Sequence, residues 1–358
     1  MRPIFVCAIL LSAAGAFADS VDTNVRTVTK LSEGVYEIRH PDAPDDFPQG
    51  NTTVVIGDRD VLVVDSCYLP SSAQEDIDQI RKWTDKPVRF LVNTHWHNDH
   101  VAGNATYAAA FPDLTIIAHE QTRQHIAGYI SGWKGRFAAR TAVLEAQLKS
   151  GNDADGKPLT DEGRADVVKS LAGRAKVWAE LTNFRTQAPT AGFDRSLDLD
   201  LGNREVQIRF LGRGNTSGDA VVYLLTEKIL VAGDLLDAPV PYLGGGYPVD
   251  EIETLKAMDR FEINAIVPGH GDVMHDKNYL HKVTNTIQTV VDEVRRQIYH
   301  IGNGSRHLEE VRAAVMQAID FKALRAQFVG DDKNEQQFFD NFSMSGLITA
   351  AYAQLWSK

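Results

Sequence analysis

The chain has 358 residues, 48 acidic and 37 basic, for a formal charge of −11. So acidic a chain, without a basic stripe, argues against nucleic acid and anionic membrane surfaces as partners. Its 43% of apolar residues are enough for a sizeable core. Residues 1–18 read as a cleavable signal: Arg2, the apolar run Ile4 to Leu11, then Ala16-Phe17-Ala18 before Asp19. The mature protein is therefore expected to be secreted or periplasmic, and no later run approaches the roughly 20 apolar residues of a membrane anchor. Cys7 would leave with the signal. Cys67 then stands alone, which rules out an intramolecular disulfide and suits a small buried hydrophobe, a place near a reactive centre being the other reading.

From Val35 to Ser66 the pattern is β, with Asn51–Ile56 and Val61–Val64 as a hairpin around Gly57-Asp58-Arg59-Asp60. Ser72-x-x-Glu75 reads as a capping box opening a helix through Trp83, with Ile77 and Ile80 inward. Val88–Val92 is a buried strand that delivers Thr94-His95-Trp96-His97-Asn98-Asp99-His100. A short helix from Val101 to Phe111 and a strand Thr115–Ala118 follow, the latter ending at His119, read as a surface or packing histidine, with a place behind the metal ligands as the other reading. Residues 121–187 read as an inserted helical hairpin, and Val167, Val168, Leu171, Ala175, Trp178 and Leu181 as the buried face of its second helix. Trp133, Phe137 and Trp178 would either roof a substrate or, the preferred reading, fill core.

The second half returns to β. Val206–Leu211 leads to Gly212-Arg213-Gly214-Asn215-Thr216-Ser217-Gly218-Asp219, and Ala220–Leu225 with Ile229–Val231 forms a hairpin that runs on to Gly233-Asp234. Pro239 to Pro248 is a loop by composition, with Tyr242 and Tyr247 either on a substrate or in a plain turn. Ile263–Val267 is a strand ending in Pro268-Gly269-His270-Gly271. Beyond Asp272 the chain is helical, with Leu280, Val283, Ile287, Val290, Val291, Val294 and Ile298 on one stripe and a break at Gly302–Ser305. The division is thus a catalytic domain, 19–272, and a helical extension, 273–358, that completes the core or, second, forms a homodimer.

Three imidazoles and a carboxylate within six positions at the end of a buried strand form a metal-binding pattern. On an extended chain His95, His97 and Asp99 would project to one side and His100 to the other, so that one segment feeds two adjacent ions. Imidazole suits zinc, and the carboxylate supplies negative charge.

His95-x-His97-x-Asp99-His100 resembles the defining motif of the metallo-β-lactamase superfamily, whose members are mostly dinuclear zinc hydrolases. The resemblance extends over roughly Val35 to Asp272. Val61 to Asp65 resembles the first motif, Gly233-Asp234 the motif with the metal-bridging aspartate, and Pro268-Gly269-His270-Gly271 the last, whose histidine binds the second metal. One position departs: Asn215 stands where the family places a third histidine of the first site, and an amide oxygen is a weaker ligand than imidazole. Three arrangements remain open: Asn215 as a weak ligand, a water in its place, or a single metal held by Asp99, His100, Asp234 and His270.

The resemblance implies an α/β fold, a four-layer αβ/βα sandwich of two mixed sheets with helices outside and the site at one edge. It implies one or two zinc ions, iron being possible, held by His95, His97, Asp99, His100, Asp234 and His270. The activity it implies is hydrolysis of a small-molecule acyl substrate (ester, lactone, thioester or lactam) by metal-bound hydroxide, with Asp99 and Asp234 orienting the attack. No Gly-x-Ser-x-Gly elbow offers a serine route. A β-lactamase proper, a mononuclear iron oxygenase-type member, and a non-enzymatic metal-binding or relay protein are the alternatives.

Overall fold

A computed structural model describes residues 25–153, 156–182, 187–301 and 307–356. The proposed signal, 1–18, and the expected break at 302–305 lie outside the described residues. Among the described residues twelve strands form two sheets. The first joins β1 (Thr27–Ser32), β2 (Val35–Arg39), β3 (Thr52–Ile56), β4 (Val61–Val64), β5 (Val88–Asn93), β6 (Thr115–His119) and β7 (Ala191–Phe193) in that order. Pairing is antiparallel from β1 to β4 and parallel from β4 to β7. The second runs β12-β11-β10-β9-β8, from β8 (Ser196–Asp200), β9 (Glu205–Phe210), β10 (Ala220–Leu224), β11 (Ile229–Asp237) and β12 (Ala265–His270). Only β11 and β12 pair in parallel there.

The helices are α1 (Pro70–Trp83), α2 (Asn98–Val101), α3 (Asn104–Ala110), α4 (Glu120–Ser150), α5 (Asp161–Leu181), α6 (Pro248–Met258), α7 (Asn278–Ile301), α8 (Leu308–Ala318), α9 (Phe321–Arg325), α10 (Lys333–Phe338) and α11 (Ser345–Trp356). Among the described residues none is long and apolar enough to cross a membrane.

Alternation along the strands sorts the core into layers. Val55, Leu62, Val64, Val92 and Ile117 of the first sheet meet Val206, Ile208, Val222, Val231 and Val267 of the second. The opposite face of the first sheet packs Val54, Val63 and Leu91 on Ile77, Ile80 and Tyr107 of α1 and α3. The opposite face of the second packs Val221, Leu230 and Ile266 on Ile252, Ile287, Val291, Val315 and Ile348. The result is helix, sheet, sheet, helix, and the C-terminal helices complete the outer layer of the second sheet.

Several local expectations give way to tertiary context. Helix α1 opens with Pro70 at its first position and Leu69 at its cap, so Ser72 lies inside the helix and caps nothing. The short helix expected after His100 is two pieces, α2 and α3, and α2 already contains Asp99 and His100. The buried face of α5 is Val167, Arg174, Val177 and Leu181, whereas Val168, Ala175 and Trp178 are exposed. That face passes through a charged residue because each guanidinium nitrogen of Arg174 has a partner. It donates to the Phe137 carbonyl (2.8 Å) and Thr141 Oγ1 (2.9 Å), lies 3.4 Å from Asp45 Oδ2, and sits 3.8 Å over the Phe137 ring.

Trp133 and Phe137 of α4 pack with Val177, Leu181, Tyr68 and Ala102 as core, and Trp178 stacks outside Phe137 at 5.5 Å. The α4/α5 pair therefore clamps the 43–47 segment. Gly173 of α5 comes so close that a Cβ there would meet the Pro44 carbonyl oxygen at 1.7 Å. Alanine in place of glycine favours a helix interior by about 1 kcal/mol, but collision with backbone costs about 1–3 kcal/mol. Gly173→Ala is therefore expected to lower the melting temperature and to speed protease cleavage in the α4/α5 connection; a melting temperature equal to or above that of the unaltered protein would contradict this packing.

Candidate metal centre

The β5 strand ends at Asn93, and the chain then passes His95 and His97 before turning into α2. The expected alternation holds only to His97. The helical turn puts Asp99 with His100, so the two groups are His95, His97 and Asp234, and Asp99, His100, Asp234 and His270. In the first, His95 Nε2 is 3.0 Å from His97 Nδ1 and 3.2 Å from Asp234 Oδ2. In the second, His100 Nε2 is 3.3 Å from His270 Nε2 and 2.9 Å from Asp234 Oδ1, and His270 Nε2 is 3.1 Å from Asp99 Oδ2. Asp234, on β11, gives one oxygen to each group.

A cation fits this arrangement better than hydrogen bonds do. Asp234 Oδ1 is buried and lies 2.9 Å from His100 Nε2, yet among the described residues it has no hydrogen-bond partner of good geometry. One ligand atom from each of Asp99, His100, Asp234 and His270 lies within 4.8 Å of the others, close enough to share a single ion. The backbone makes room for this: a Cβ on Gly269 would meet Asp234 Oδ1 at 2.0 Å, and one on Gly50 would meet the His100 ring at 2.4 Å.

The partners behind the ligands set their tautomers. Asp65, closing β4, accepts from Thr94 N (2.8 Å) and Thr94 Oγ1 (2.7 Å), and its Oδ2 lies 2.9 Å from His100 Nδ1. Thr94 Oγ1 in turn faces His95 Nδ1 at 3.0 Å. Assigned from that network, both Nδ1 atoms carry hydrogen, which leaves both Nε2 lone pairs for the centre.

Charge agrees with geometry. Burial alone would raise the Asp99 carboxyl, but His100 and His270 outweigh it and bring it to about 2. Burial likewise opposes ionisation of Asp234, and His100, His95 and His270 hold it well below the usual range. Both acids are anions at neutral pH. Against burial, Asp234 and Asp99 raise His270 to about 9, so protons there compete with any cation.

Asn215 lies beside His97 and Asp234. Its amide nitrogen is 3.4 Å from both His97 Nδ1 and Asp234 Oδ2, at the edge of the first group, and turning the amide over would present oxygen instead. The loop is held by Asp219, which accepts from Gly214 N, Thr216 N and Thr216 Oγ1, and by Tyr247 N, which donates to the Gly214 carbonyl. His119 lies away from this centre, stacked 4.0 Å from Phe210 and capping α4 through its Nδ1. Tyr242 packs on Phe342 of the extension, and Tyr247 lies under Arg213.

Asp237 was not singled out by sequence. It is 5% exposed, neither carboxylate oxygen has a hydrogen-bond partner among the described residues, and burial followed by Asp234 raises it well above the ordinary range. The legible signal is a second acid three residues past Asp234.

Two outcomes follow from the geometry of this loop. Because the first group has three strong donors and an amide, Asn215→His should increase the metal retained after dialysis toward two equivalents; metal analysis unchanged from the original protein would count against Asn215 occupying a ligand position. Behind the loop, Glu251 is buried, and burial and then Asp219 push its carboxyl up to about 8. A carboxyl whose pKa is raised by folding loses stability as pH climbs from about 4.5 toward 8. Glu251→Gln should remove that slope and stabilise the protein by a few kcal/mol at pH 8–9. Denaturant unfolding at pH 5 and pH 9 reads the difference, and parallel pH profiles for the two proteins would contradict it.

Comparison with known proteins matches this architecture. Residues 45–270 match the family model of the metallo-beta-lactamase superfamily. A linear primary-alkylsulfatase of Pseudomonas sp. is 22% identical over 255 residues, 66% of this chain and 44% of that protein. A metallo-beta-lactamase type 2 of Bacteroides fragilis is 33% identical over 90 residues, 24% of this chain and 36% of that protein. The chain thus spans less than half the length of these curated relatives. A solved metallo-beta-lactamase from Pontibacter korlensis aligns with TM-score 0.51 at 18% identity over 74% of this chain and 99% of its own. The DIM-1 metallo-beta-lactamase aligns with TM-score 0.52 at 18% identity over 74% and 97%. At such identity these structures speak for the fold alone, but the family match covers most of the chain and includes every residue of the two donor groups around Asp234: the chain belongs to the metallo-beta-lactamase superfamily.

Proposed function

We propose that this protein is a zinc-dependent hydrolase of a small ester-type substrate, an ester, lactone, thioester or lactam. The observation that carries the reading is Asp234, whose two oxygens serve two adjacent donor groups. The donors are imidazole and carboxylate, a set that suits zinc. Bound there, zinc would supply Lewis acidity and lower the pKa of water to about 7, making a nucleophile at neutral pH.

The chain's own residues supply the rest. Asp99 and Asp234 stay ionised and balance the cationic charge. Asp65 and Thr94 keep His95 and His100 in one orientation. The Asn215 amide, at the rim of the first group, can present its N–H to a substrate oxygen or its carbonyl to the metal. A sulfate ester is the second reading, because the alkylsulfatase relative matches over the longer stretch of chain, 255 residues against 90 for the β-lactamase.

The test combines metal analysis of the purified protein with a panel of lactone, thioester, β-lactam and primary alkyl sulfate substrates. The reading expects bound zinc and zinc-dependent turnover of at least one class. Asp234→Ala should lower kcat/KM by more than the 10–100-fold typical of losing an outer partner of a metal ligand, with the circular dichroism spectrum unchanged. One iron and no hydrolysis would favour a redox member, and no retained metal a binding role; either would overturn the proposal.

A further inference from the structure

Behind the second donor group lies a buried ionic chain that the catalytic reading does not use. His40, just past β2, has its side chain fully buried, with both ring nitrogens facing acceptors: Nδ1 is 2.9 Å from the Gly50 carbonyl and Nε2 is 2.9 Å from Asp76 Oδ2. The other Asp76 oxygen accepts from Arg26 Nη2 at 2.8 Å. Asp76, on α1, is also fully buried, and an unpaired carboxylate there would be strongly disfavoured. A ring with acceptors on both sides is an imidazolium donating twice, so His40 joins a helix to a loop carbonyl.

The Gly50–Asn51 segment held in this way touches both ligand-bearing turns. Gly50 lies against the face of the His100 ring, where any Cβ would overlap it, and its N–H donates to the Asp99 carbonyl at 3.2 Å. Asn51 N donates to the Gly269 carbonyl at 2.7 Å, and Asn51 Nδ2 donates to the carbonyls of Pro268 (3.1 Å) and Gly271 (2.9 Å), the residues around His270. One short segment therefore sets the separation between Asp99-His100 and His270, and His40 is its anchor on the side away from the centre.

We propose that His40, paired with Asp76, is a positioning residue for the second metal position: it fixes Gly50 and Asn51, and these hold His100, Asp99 and His270 at ligand spacing. The inference rests on the reading of that group as a metal position. His40, Cys67 and Asp76 are themselves close enough to share an ion. Against that, both His40 nitrogens are occupied, Arg26 holds Asp76, and the Cys67 thiol faces the Leu69 carbonyl at 3.6 Å.

The test is a cobalt(II) titration of the metal-free full chain, followed by visible absorption and by competition with a chelator. The affected phase is the one that His270→Ala removes. His40→Ala should weaken cobalt in that phase about 10–100-fold, the usual cost of losing an outer partner of a metal ligand. His40→Gln, which keeps one donor for the Gly50 carbonyl, should recover part of the loss. Ile77→Ala, beside Asp76 on α1 and fully buried, controls for general destabilisation and should leave cobalt affinity unchanged. The proposal is overturned if His40→Ala binds cobalt as the original protein does, or if Ile77→Ala weakens it equally. Loss of one equivalent of cobalt in Cys67→Ser would make the cluster a metal site and overturn it as well. An original protein that binds no cobalt would remove the proposed function along with it.

Discussion

A buried carboxylate, Asp234, sits between imidazoles on both sides, and the surrounding structure is arranged so that this concentration of charge can stay folded. Burying an ion costs several kcal/mol unless opposite charge and fixed dipoles surround it. His95 and His97 face one oxygen, His100 and His270 the other, and Asp99 lies beyond. Two imidazole nitrogens 3.3 Å apart are stable only with a proton or a metal between them. The same repulsion that makes the metal-free centre costly makes it receptive to a divalent ion.

The two sheets explain how ligands from distant parts of the chain meet. Asp65, the His95–His100 segment and His270 lie at or just beyond the ends of β4, β5 and β12, and Asp234 lies within β11, where register shifts on either side of Gly233 bend the strand toward the centre. Glycines at 50, 233 and 269 permit the approach, since a side chain at any of them would strike His100, Thr94 or Asp234. Around this edge the α4/α5 pair and the C-terminal helices are outer packing. The first is tied to the 43–47 segment through Arg174 and Gly173. The second is tied through Ser343, whose hydroxyl donates to the Pro241 carbonyl.

Much of the centre was legible because its chemistry is local in sequence. Three histidines and an aspartate within six positions need no tertiary information to suggest a cation, and β-branched runs before His95, Asp234 and His270 mark strands by composition. What was misread or passed over has physical causes. The buried face of α5 runs through Arg174, which periodicity alone assigns to solvent because its partners Asp45 and Phe137 lie elsewhere in the chain. The edge strands β1 and β8 bury only alternate residues weakly, and α6 follows a Gly/Pro-rich loop that masks its start. His40 and Asp76 stand among other polar residues in the sequence, and Asp237 is a single acid after two leucines, so none of the three forms a local motif. Their roles depend on contacts 10 to 50 residues away, or on burial beside Asp234, which spacing does not reveal.

The most direct test of the central claim, that Asp234 is shared by two metal positions, is anomalous diffraction from crystals of the purified protein at the zinc absorption edge. The account predicts a peak between Asp234, His100, His270 and Asp99, and a second, weaker one between Asp234, His95 and His97 beside Asn215. Crystals of zinc-supplemented protein with no peak within bonding distance of Asp234 would contradict it.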